Sequence, residues 1–196
     1  MKPKIMIVFL LVILGLALEI WSESTPPATS STEQIKTEQI KAINTPAPAF
    51  SFPTLGGTTK TLQDYQGKTI LLNFWATWCA ACMAEFPGLL ELASRYPDNI
   101  VLLALSVDEN PENIEPFIRR FDEEFQKKAK APNVIIGLDP EKKIAQDLFG
   151  TVLFPETYII GPDMTIRRKI VGAIEWSGQN LENLLNLPSE GPKSGP

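Results

Sequence analysis

The sequence contains no histidine and only two cysteines in 196 residues. Without histidine there can be no Ser-His-Asp triad, no imidazole general base, no haem-attachment site of the Cys-x-x-Cys-His type and no Cys2His2 zinc site. Two thiols cannot complete a four-cysteine metal centre, so we expect no bound metal. Acidic residues outnumber basic ones by 23 to 18, which predicts no nucleic-acid partner. The chemistry that remains is that of the two cysteines.

The amino-terminal segment, residues 1–21, is typical of a segment that directs export. Two lysines within residues 1–4 precede Ile5–Leu18, an uninterrupted run of apolar residues and glycine. As a helix this run reaches about 21 Å, less than the ~30 Å hydrocarbon core of a bilayer unless it continues to Trp21. A retained anchor and a cleaved signal peptide therefore both stay open, and the poor cleavage sites favour the anchor. The positive amino terminus predicts that this end stays in the cytoplasm and that the rest of the chain lies outside, as the periplasmic body of an inner-membrane protein or, if the segment is cleaved, as a secreted periplasmic protein.

Composition divides the rest of the chain into three parts. Residues 22–46 are rich in Ser, Thr, Pro, Glu and Gln and are predicted to be a flexible linker, although Glu33–Ile43 could form a short helix. Residues 188–196 are predicted to be a disordered tail of Pro, Gly and Ser. The 47–187 region between them is long enough for one domain with its own core.

Hydrophobic patterns within this domain predict an α/β fold with a central mixed sheet flanked by helices. Thr69–Trp75 and Ile100–Val107 are continuous apolar runs that suit strands buried on both faces, with a helix between them, so the two strands should be parallel. The later expectations are a helical insertion with apolar residues from Ile114 to Phe125, a strand at Val134–Leu138, a helix opened by Asp139-Pro140 and ended by Gly150, a hairpin of Thr157–Ile160 with Thr165–Val171, and a last helix after Ser177.

The cysteines, Cys79 and Cys82, stand where the first buried strand becomes a helix. At a helix amino terminus the free backbone N–H groups and the helix dipole stabilise a thiolate. A spacing of three residues places Cys82 one turn further on the same side. Cys79 could therefore attack a partner's disulfide, and Cys82 could resolve the mixed disulfide. The alternatives are an inert bridge, which would close too small a loop to add much stability, and metal binding across a dimer.

The segment Leu71–Pro87 (LLNFWATWCAACMAEFP) resembles the active-site segment of the thioredoxin superfamily, most closely that of the membrane-anchored, extracytoplasmic TlpA/ResA/DsbE-type proteins. The resemblance includes a Phe-x-x-x-x-Leu-x-Gly-x-x-x-x-Leu pattern that begins at Phe50 and the later Gly150–Ile160 (GTVLFPETYII). It implies a thioredoxin-like fold with an N-terminal extension and catalysis by Cys79 and Cys82 without a dissociable cofactor.

The resemblance also implies supporting roles. Pro155 should follow a cis peptide bond and pack against the disulfide, so that Phe154 and Pro155 offer a backbone edge to the substrate chain. Glu85 matches the family's Cys-x-x-Cys-x-x-Glu-x-Pro pattern, and its alternative is a solvated helix residue. Trp78, like the tryptophan three residues before it, is expected to pack around the sulfurs.

Two departures from the family pattern bear on the chemistry. Ala81 replaces the usual proline before the second cysteine, and Asn73 stands where cytosolic thioredoxins have a buried aspartate. An amide cannot accept the proton of Cys82. If a carboxylate does so, the candidates are Glu85, Asp108 and Glu109.

The leading functional prediction is an extracytoplasmic thiol-disulfide oxidoreductase that acts as a reductant. From the resemblance, its partners are protein thiol and disulfide substrates, apocytochrome c among them, and a membrane thiol electron donor, with the membrane contacted through the N-terminal segment. A peroxiredoxin-like peroxidase is the first alternative, although Leu72 and Ala76 break the Pro-x-x-x-Thr-x-x-Cys pattern. A non-enzymatic binding module with the same fold is the second.

Overall fold

The computed structural model describes residues 39–177 together with Leu185. The strands are β1 (Ile40–Pro46), β2 (Ser51–Pro53), β3 (Thr59–Thr61), β4 (Thr69–Trp75), β5 (Ile100–Ser106), β6 (Val134–Leu138), β7 (Glu156–Ile160) and β8 (Thr165–Val171). The helices are α1 (Ala80–Arg95), α2 (Ile114–Ile118) and α3 (Glu123–Lys128), with 3-10 turns at Leu62–Tyr65 and Pro111–Asn113 and a π-helical segment at Lys143–Leu148.

Six strands form a mixed sheet in the order β1-β8-β7-β4-β5-β6. Strand β4 pairs in parallel with β5, β5 pairs in parallel with β6, and β7 lies antiparallel on the other side of β4. Every residue of β4 and β5 is buried, as expected for continuous apolar runs inside a sheet covered on both faces. The predicted parallel pair and the mixed α/β sheet are confirmed.

Helix α1 connects β4 to β5 and carries the predicted apolar stripe against the core. Its fully buried members include Cys82, Phe86, Leu89, Leu90 and Ala93. Pro87 lies inside the helix, where its missing N–H removes one helical hydrogen bond. The cysteines therefore lie where the central strand passes into the helix, at the carboxyl end of β4.

The predicted linker boundary is wrong for Ile40–Pro46, which is strand β1 instead of linker or helix. It pairs antiparallel with β8 and places β8 inside the sheet. Only Ile40 and Ile43 are partly buried against the core. An edge strand pairs through its backbone hydrogen bonds, so it needs little hydrophobic pattern that the sequence would reveal. By pairing with β8, strand β1 also covers an edge that would otherwise be open to pairing with another chain.

The helical insertion is present, but it is two short helices and not one continuous stripe. Helix α2 ends at Ile118, and Asp122 begins α3 by accepting a hydrogen bond from the N–H of Phe125 at 2.8 Å. This new N-cap competes with continuation of the first helix. The aromatic residues Phe117, Phe121 and Phe125 still pack in series, with ring centroids 5.3 and 4.0 Å apart.

The helix expected directly after Asp139-Pro140 begins later and has a different geometry. Lys142 adopts a left-handed conformation with φ of 58°, and the π-helical segment starts at the next residue. Asp139 caps this segment from a distance, since its carboxylate accepts from the N–H groups of Ile144 and Ala145 at 3.2 and 2.8 Å. The predicted hairpin of β7 and β8 is confirmed, with its strands antiparallel.

Several sequence predictions lie outside the described residues. These are the N-terminal export segment, the linker up to residue 38, the C-terminal tail and all of the last helix except Leu185, which is buried. Within residues 39–177, no helix is long and apolar enough to cross a membrane.

Candidate active site

The two cysteines form a disulfide at the amino terminus of α1, with their Cα atoms 5.2 Å apart. Cys79 is the N-cap residue with extended backbone angles, and its sulfur accepts a hydrogen bond from the N–H of Cys82 at 3.1 Å. Cys79 keeps 8% of its surface exposed, whereas Cys82 is fully buried. Cys79 is thus the more exposed of the two cysteines and lies where the helix terminus stabilises a thiolate, whereas Cys82 is shielded from solvent.

The Phe154–Pro155 peptide bond is cis, as the resemblance implies, and its packing against the disulfide stays a prediction. The ring of Phe154 meets that of Trp78 edge to face, with centroids 6.1 Å apart. Trp78 is 63% exposed, and its packing around the sulfurs stays a prediction. Trp75 is the buried one, 4.7 Å from Phe86 between ring centroids, because β4 residues point into the core and the following loop does not.

Glu85 lies one turn after Cys82 on the same face of α1 and is only 4% exposed. The interpretation of Glu85 as a solvated residue is therefore wrong. Its carboxylate accepts hydrogen bonds from Asn73 Nδ2 at 2.9 Å and from Trp176 Nε1 at 3.2 Å. Burial raises the pKa of Glu85 to about 7, and the hydrogen bonds from Trp176 and Asn73 partly offset this rise. A carboxyl group whose pKa is raised toward neutrality by burial therefore lies one helical turn after the buried Cys82.

Asn73 links this carboxylate to the sheet. It lies opposite Thr157 across the β4–β7 pair and donates to Thr157 Oγ1 at 2.9 Å, in addition to Glu85. Asn73 thereby orients Glu85 without carrying a proton itself. Trp176, which follows β8, was missed from the sequence because nothing in its surroundings indicates that it returns to α1.

The other two candidate carboxylates take different positions. Asp108 is buried and accepts hydrogen bonds from Thr77 N, Thr77 Oγ1 and Ser106 Oγ at 2.9, 2.7 and 2.7 Å. It therefore holds the loop that precedes Trp78. The side chain of Glu109 is 87% exposed and lies 3.7 Å from Lys142 Nζ. Of the three candidates, Glu85 alone combines burial with a position one helical turn from Cys82.

This arrangement is matched by a known family. The model of the AhpC/TSA family matches residues 43–169, which span strand β1 to strand β8 and include both cysteines. The chain belongs to the AhpC/TSA family. The curated proteins to which the chain is similar include proteins named as thiol-disulfide oxidoreductases and thiol:disulfide interchange proteins.

The thioredoxin-like protein YneN of Bacillus subtilis is 32% identical over 144 residues, which cover 72% of this chain and 77% of YneN. The thiol-disulfide oxidoreductase ResA of Geobacillus thermodenitrificans is 32% identical over 146 residues, covering 73% and 78%. The crystal structure of the thiol:disulfide interchange protein DsbE from Chlorobium tepidum superimposes with a TM-score of 0.61 at 23% identity, covering 73% of this chain and 94% of that one. The AhpC/TSA protein described here is a thiol-disulfide oxidoreductase with a thioredoxin-like fold.

Proposed function

We propose that the protein is an extracytoplasmic reductant of disulfides in other proteins, with Cys79 as nucleophile and Cys82 as resolving thiol. The observation that carries the proposal is the asymmetry of the pair: Cys79 is partly exposed at the helix terminus and is followed by a helix whose first turn buries its partner, and it is preceded by a loop that leaves Trp78 exposed, whereas Cys82 is fully buried one turn before the buried Glu85. An inert bridge has no need of such a pair of environments.

The reaction conserves electrons over two exchanges. The Cys79 thiolate attacks one sulfur of the substrate disulfide, which forms a mixed disulfide and releases the other sulfur as a thiolate that takes up a proton. The Cys82 thiolate then attacks Cys79 Sγ, which frees the second substrate thiol and leaves the Cys79–Cys82 disulfide. Two electrons have passed from the enzyme dithiol to the substrate disulfide.

Glu85 is the proposed acceptor of the Cys82 proton. A general base is most effective when its pKa lies near the working pH, and burial brings the pKa of Glu85 to about 7. With Asn73 and Trp176 holding both oxygens, the carboxylate is fixed in place on the Cys82 side of α1.

The sequence supports the proposed compartment and partners. The export segment supports a body held outside the cytoplasm, where disulfides persist and a reductant must be supplied with electrons across the membrane. A membrane thiol carrier is the proposed donor, and the resemblance to TlpA/ResA/DsbE-type proteins supports an oxidised apocytochrome c, with its Cys-x-x-Cys-His site, as substrate.

The proposal is tested by trapping. Cys82→Ser protein, mixed with an oxidised peptide that carries a Cys-x-x-Cys-His site, should accumulate a mixed disulfide through Cys79 that is visible on a non-reducing gel. Cys79→Ser protein should form none. Equal trapping by both variants would contradict the assigned roles, and rapid hydrogen peroxide consumption by the wild type without peptide reduction would favour the peroxidase alternative.

A further inference from the structure

A second buried carboxylate, Glu156, lies directly after Pro155 and takes no part in the exchange reaction. Its side chain is 4% exposed and forms an ion pair with Lys169 Nζ at 3.0 Å. Its Oε2 atom lies 2.9 Å from the hydroxyl of Tyr158 and also accepts a hydrogen bond from Thr151 Oγ1. Burying this cluster costs free energy that an apolar set of residues would not require, so its position in the fold calls for a physical reason.

The two hydrogen-bonded residues, Thr151 and Glu156, enclose the loop that carries the cis bond. Thr151 is fully buried and Pro155 is buried, whereas Val152 and Leu153 between them are 71% and 64% exposed. Exposed large apolar side chains on a short segment are typical of a binding surface. The loop thus has an apolar tip held between two buried ends.

Backbone hydrogen bonds attach each end of the loop to a different neighbour. Thr151 N donates to Ala145 O at 2.8 Å, and Pro155 O accepts from Gly172 N at 2.9 Å. The Thr151–Glu156 side-chain bond connects one end of the loop to the other. The hydroxyl of Tyr158 also donates to Phe149 O at 2.7 Å and lies 3.3 Å from Thr151 Oγ1. Lys169 and Tyr158, both in neighbouring positions of the β7–β8 pair, fix the carboxylate that makes it.

We propose that Thr151 and Glu156 form a clasp that sets the position of Val152, Leu153 and Phe154 for binding an apolar stretch of the substrate protein. They are positioning residues, since neither side chain touches the sulfurs in this arrangement. The inference rests on the proposed function, the reduction of disulfides in other proteins, for which the exposed Val152 and Leu153 next to the cis Phe154–Pro155 bond offer an apolar surface. It assigns the apolar tip as the part that distinguishes a protein disulfide from a small one.

The test compares two reactions of the full-length protein. In the first, pre-reduced protein reacts in single turnover with an oxidised peptide that has apolar residues beside its Cys-x-x-Cys disulfide, over a range of peptide concentrations. In the second, oxidised protein is reduced by dithiothreitol, which is too small to use the loop. Thr151→Val removes the clasp hydroxyl with little change in shape, Thr151→Ser restores it, and Thr59→Val is the matched control at an exposed site in β3.

We expect Thr151→Val to raise the half-saturating peptide concentration about three- to tenfold, the effect of one lost hydrogen bond, with little change in the limiting rate or in the dithiothreitol reaction. Thr151→Ser should recover the wild-type value. A Thr151→Val protein that slows both reactions equally, or neither, would overturn the inference.

Leu153→Ser tests the tip independently, because a residue 64% exposed can be replaced without disturbing the core. It should also raise the half-saturating peptide concentration. Adding Thr151→Val to it should then raise that concentration by a smaller factor than Thr151→Val does in the wild type. An unchanged Leu153→Ser protein would overturn the inference whatever Thr151→Val does. A wild type that reacts with dithiothreitol but reduces no peptide disulfide would overturn the proposed function, and the inference with it.

Discussion

Two glutamates near the active site are almost equally buried, yet their surroundings differ. Glu85, 4% exposed, accepts hydrogen bonds from neutral groups, and no cation among residues 39–177 pairs with it. Glu156, 3% exposed, has Lys169 at 3.0 Å. Burial without a cation raises the pKa of Glu85 to about 7 and makes it suited to exchange a proton. In the roles proposed above, the two carboxylates differ because of their partners and not because of their degree of burial. The one without a cation exchanges a proton, and the one paired with a cation positions a loop.

Removing Lys169, the cation that pairs with Glu156, should have the largest effect on stability. Lys169→Met leaves Glu156 buried without its partner and should lower the free energy of unfolding by about 3 kcal/mol, the lower end for a broken buried pair, since Lys169 is partly exposed. Urea unfolding at pH 7 measures the change. Lys60→Met, at an exposed position of β3, is the control and should change stability by less than about 0.5 kcal/mol. Equal stabilities of the two variants would contradict the account of Glu156.

Glu85→Gln should have a comparable effect of opposite sign at alkaline pH. Between pH 4.5 and about 7 the native Glu85 holds a proton that the unfolded chain has lost, so raising the pH through this window destabilises the native state. The wild type should lose on the order of 3 kcal/mol of its free energy of unfolding over this window. The Glu85→Gln variant carries a neutral amide that does not titrate, so it should not show this loss. Urea unfolding at pH 5 and pH 8 should show the variant gaining on the wild type as the pH rises.

The matched control for this pH profile is Glu112→Gln, at an exposed position of the 3-10 turn before α2. Its profile should follow that of the wild type. A Glu85→Gln protein whose stability relative to the wild type does not rise between pH 5 and pH 8 would contradict the raised pKa.

Trp176→Phe should have a smaller effect on stability and tests whether the neutral partners of Glu85 set its pKa. It removes the hydrogen bond at 3.2 Å to Glu85, worth about 1 kcal/mol. Because that bond lowers the pKa of Glu85, its loss should raise the pKa further, by somewhat less than about one unit. The pH window over which stability falls should move upward by the same amount, and an unmoved window would show that Trp176 does not act on the carboxyl group.

The smallest effect belongs to an exposed pair. Arg119 and Glu115 are 3.0 Å apart, but their side chains are 61% and 65% exposed. Arg119→Gln should change the free energy of unfolding by less than about 0.5 kcal/mol at any pH between 5 and 8. A loss of similar size to that of Lys169→Met would show that burial does not separate the pairs.

The centre of the fold could be predicted because its residues carry strong local signals. Thr69–Trp75 is apolar throughout, and Cys79 and Cys82 mark the strand–helix junction. Strand β1 could not be predicted in the same way, since backbone pairing with β8 needs no side-chain pattern. The break between α2 and α3 depends on one capping aspartate, Asp122, in an otherwise periodic stretch.

The candidate site also has parts that local sequence patterns identify and parts that depend on long-range contacts. The family pattern identified Glu85 as well as the Phe154–Pro155 segment. Its environment could not be predicted, because Trp176 lies 91 residues away along the chain and reaches Glu85 only through the folded sheet. Glu156 stands within a recognised motif, but its buried pair with Lys169 depends on the register of β7 with β8, which local patterns do not specify.

The most direct test of the central claim is the reduction potential of the Cys79–Cys82 pair, measured on the soluble domain by equilibration against dithiothreitol or glutathione buffers with thiol alkylation as readout. A reductant is predicted to lie near the thioredoxin value of about −270 mV or lower at pH 7. A value near −120 mV, that of a strong oxidant, would contradict the proposal and make the protein a donor of disulfides.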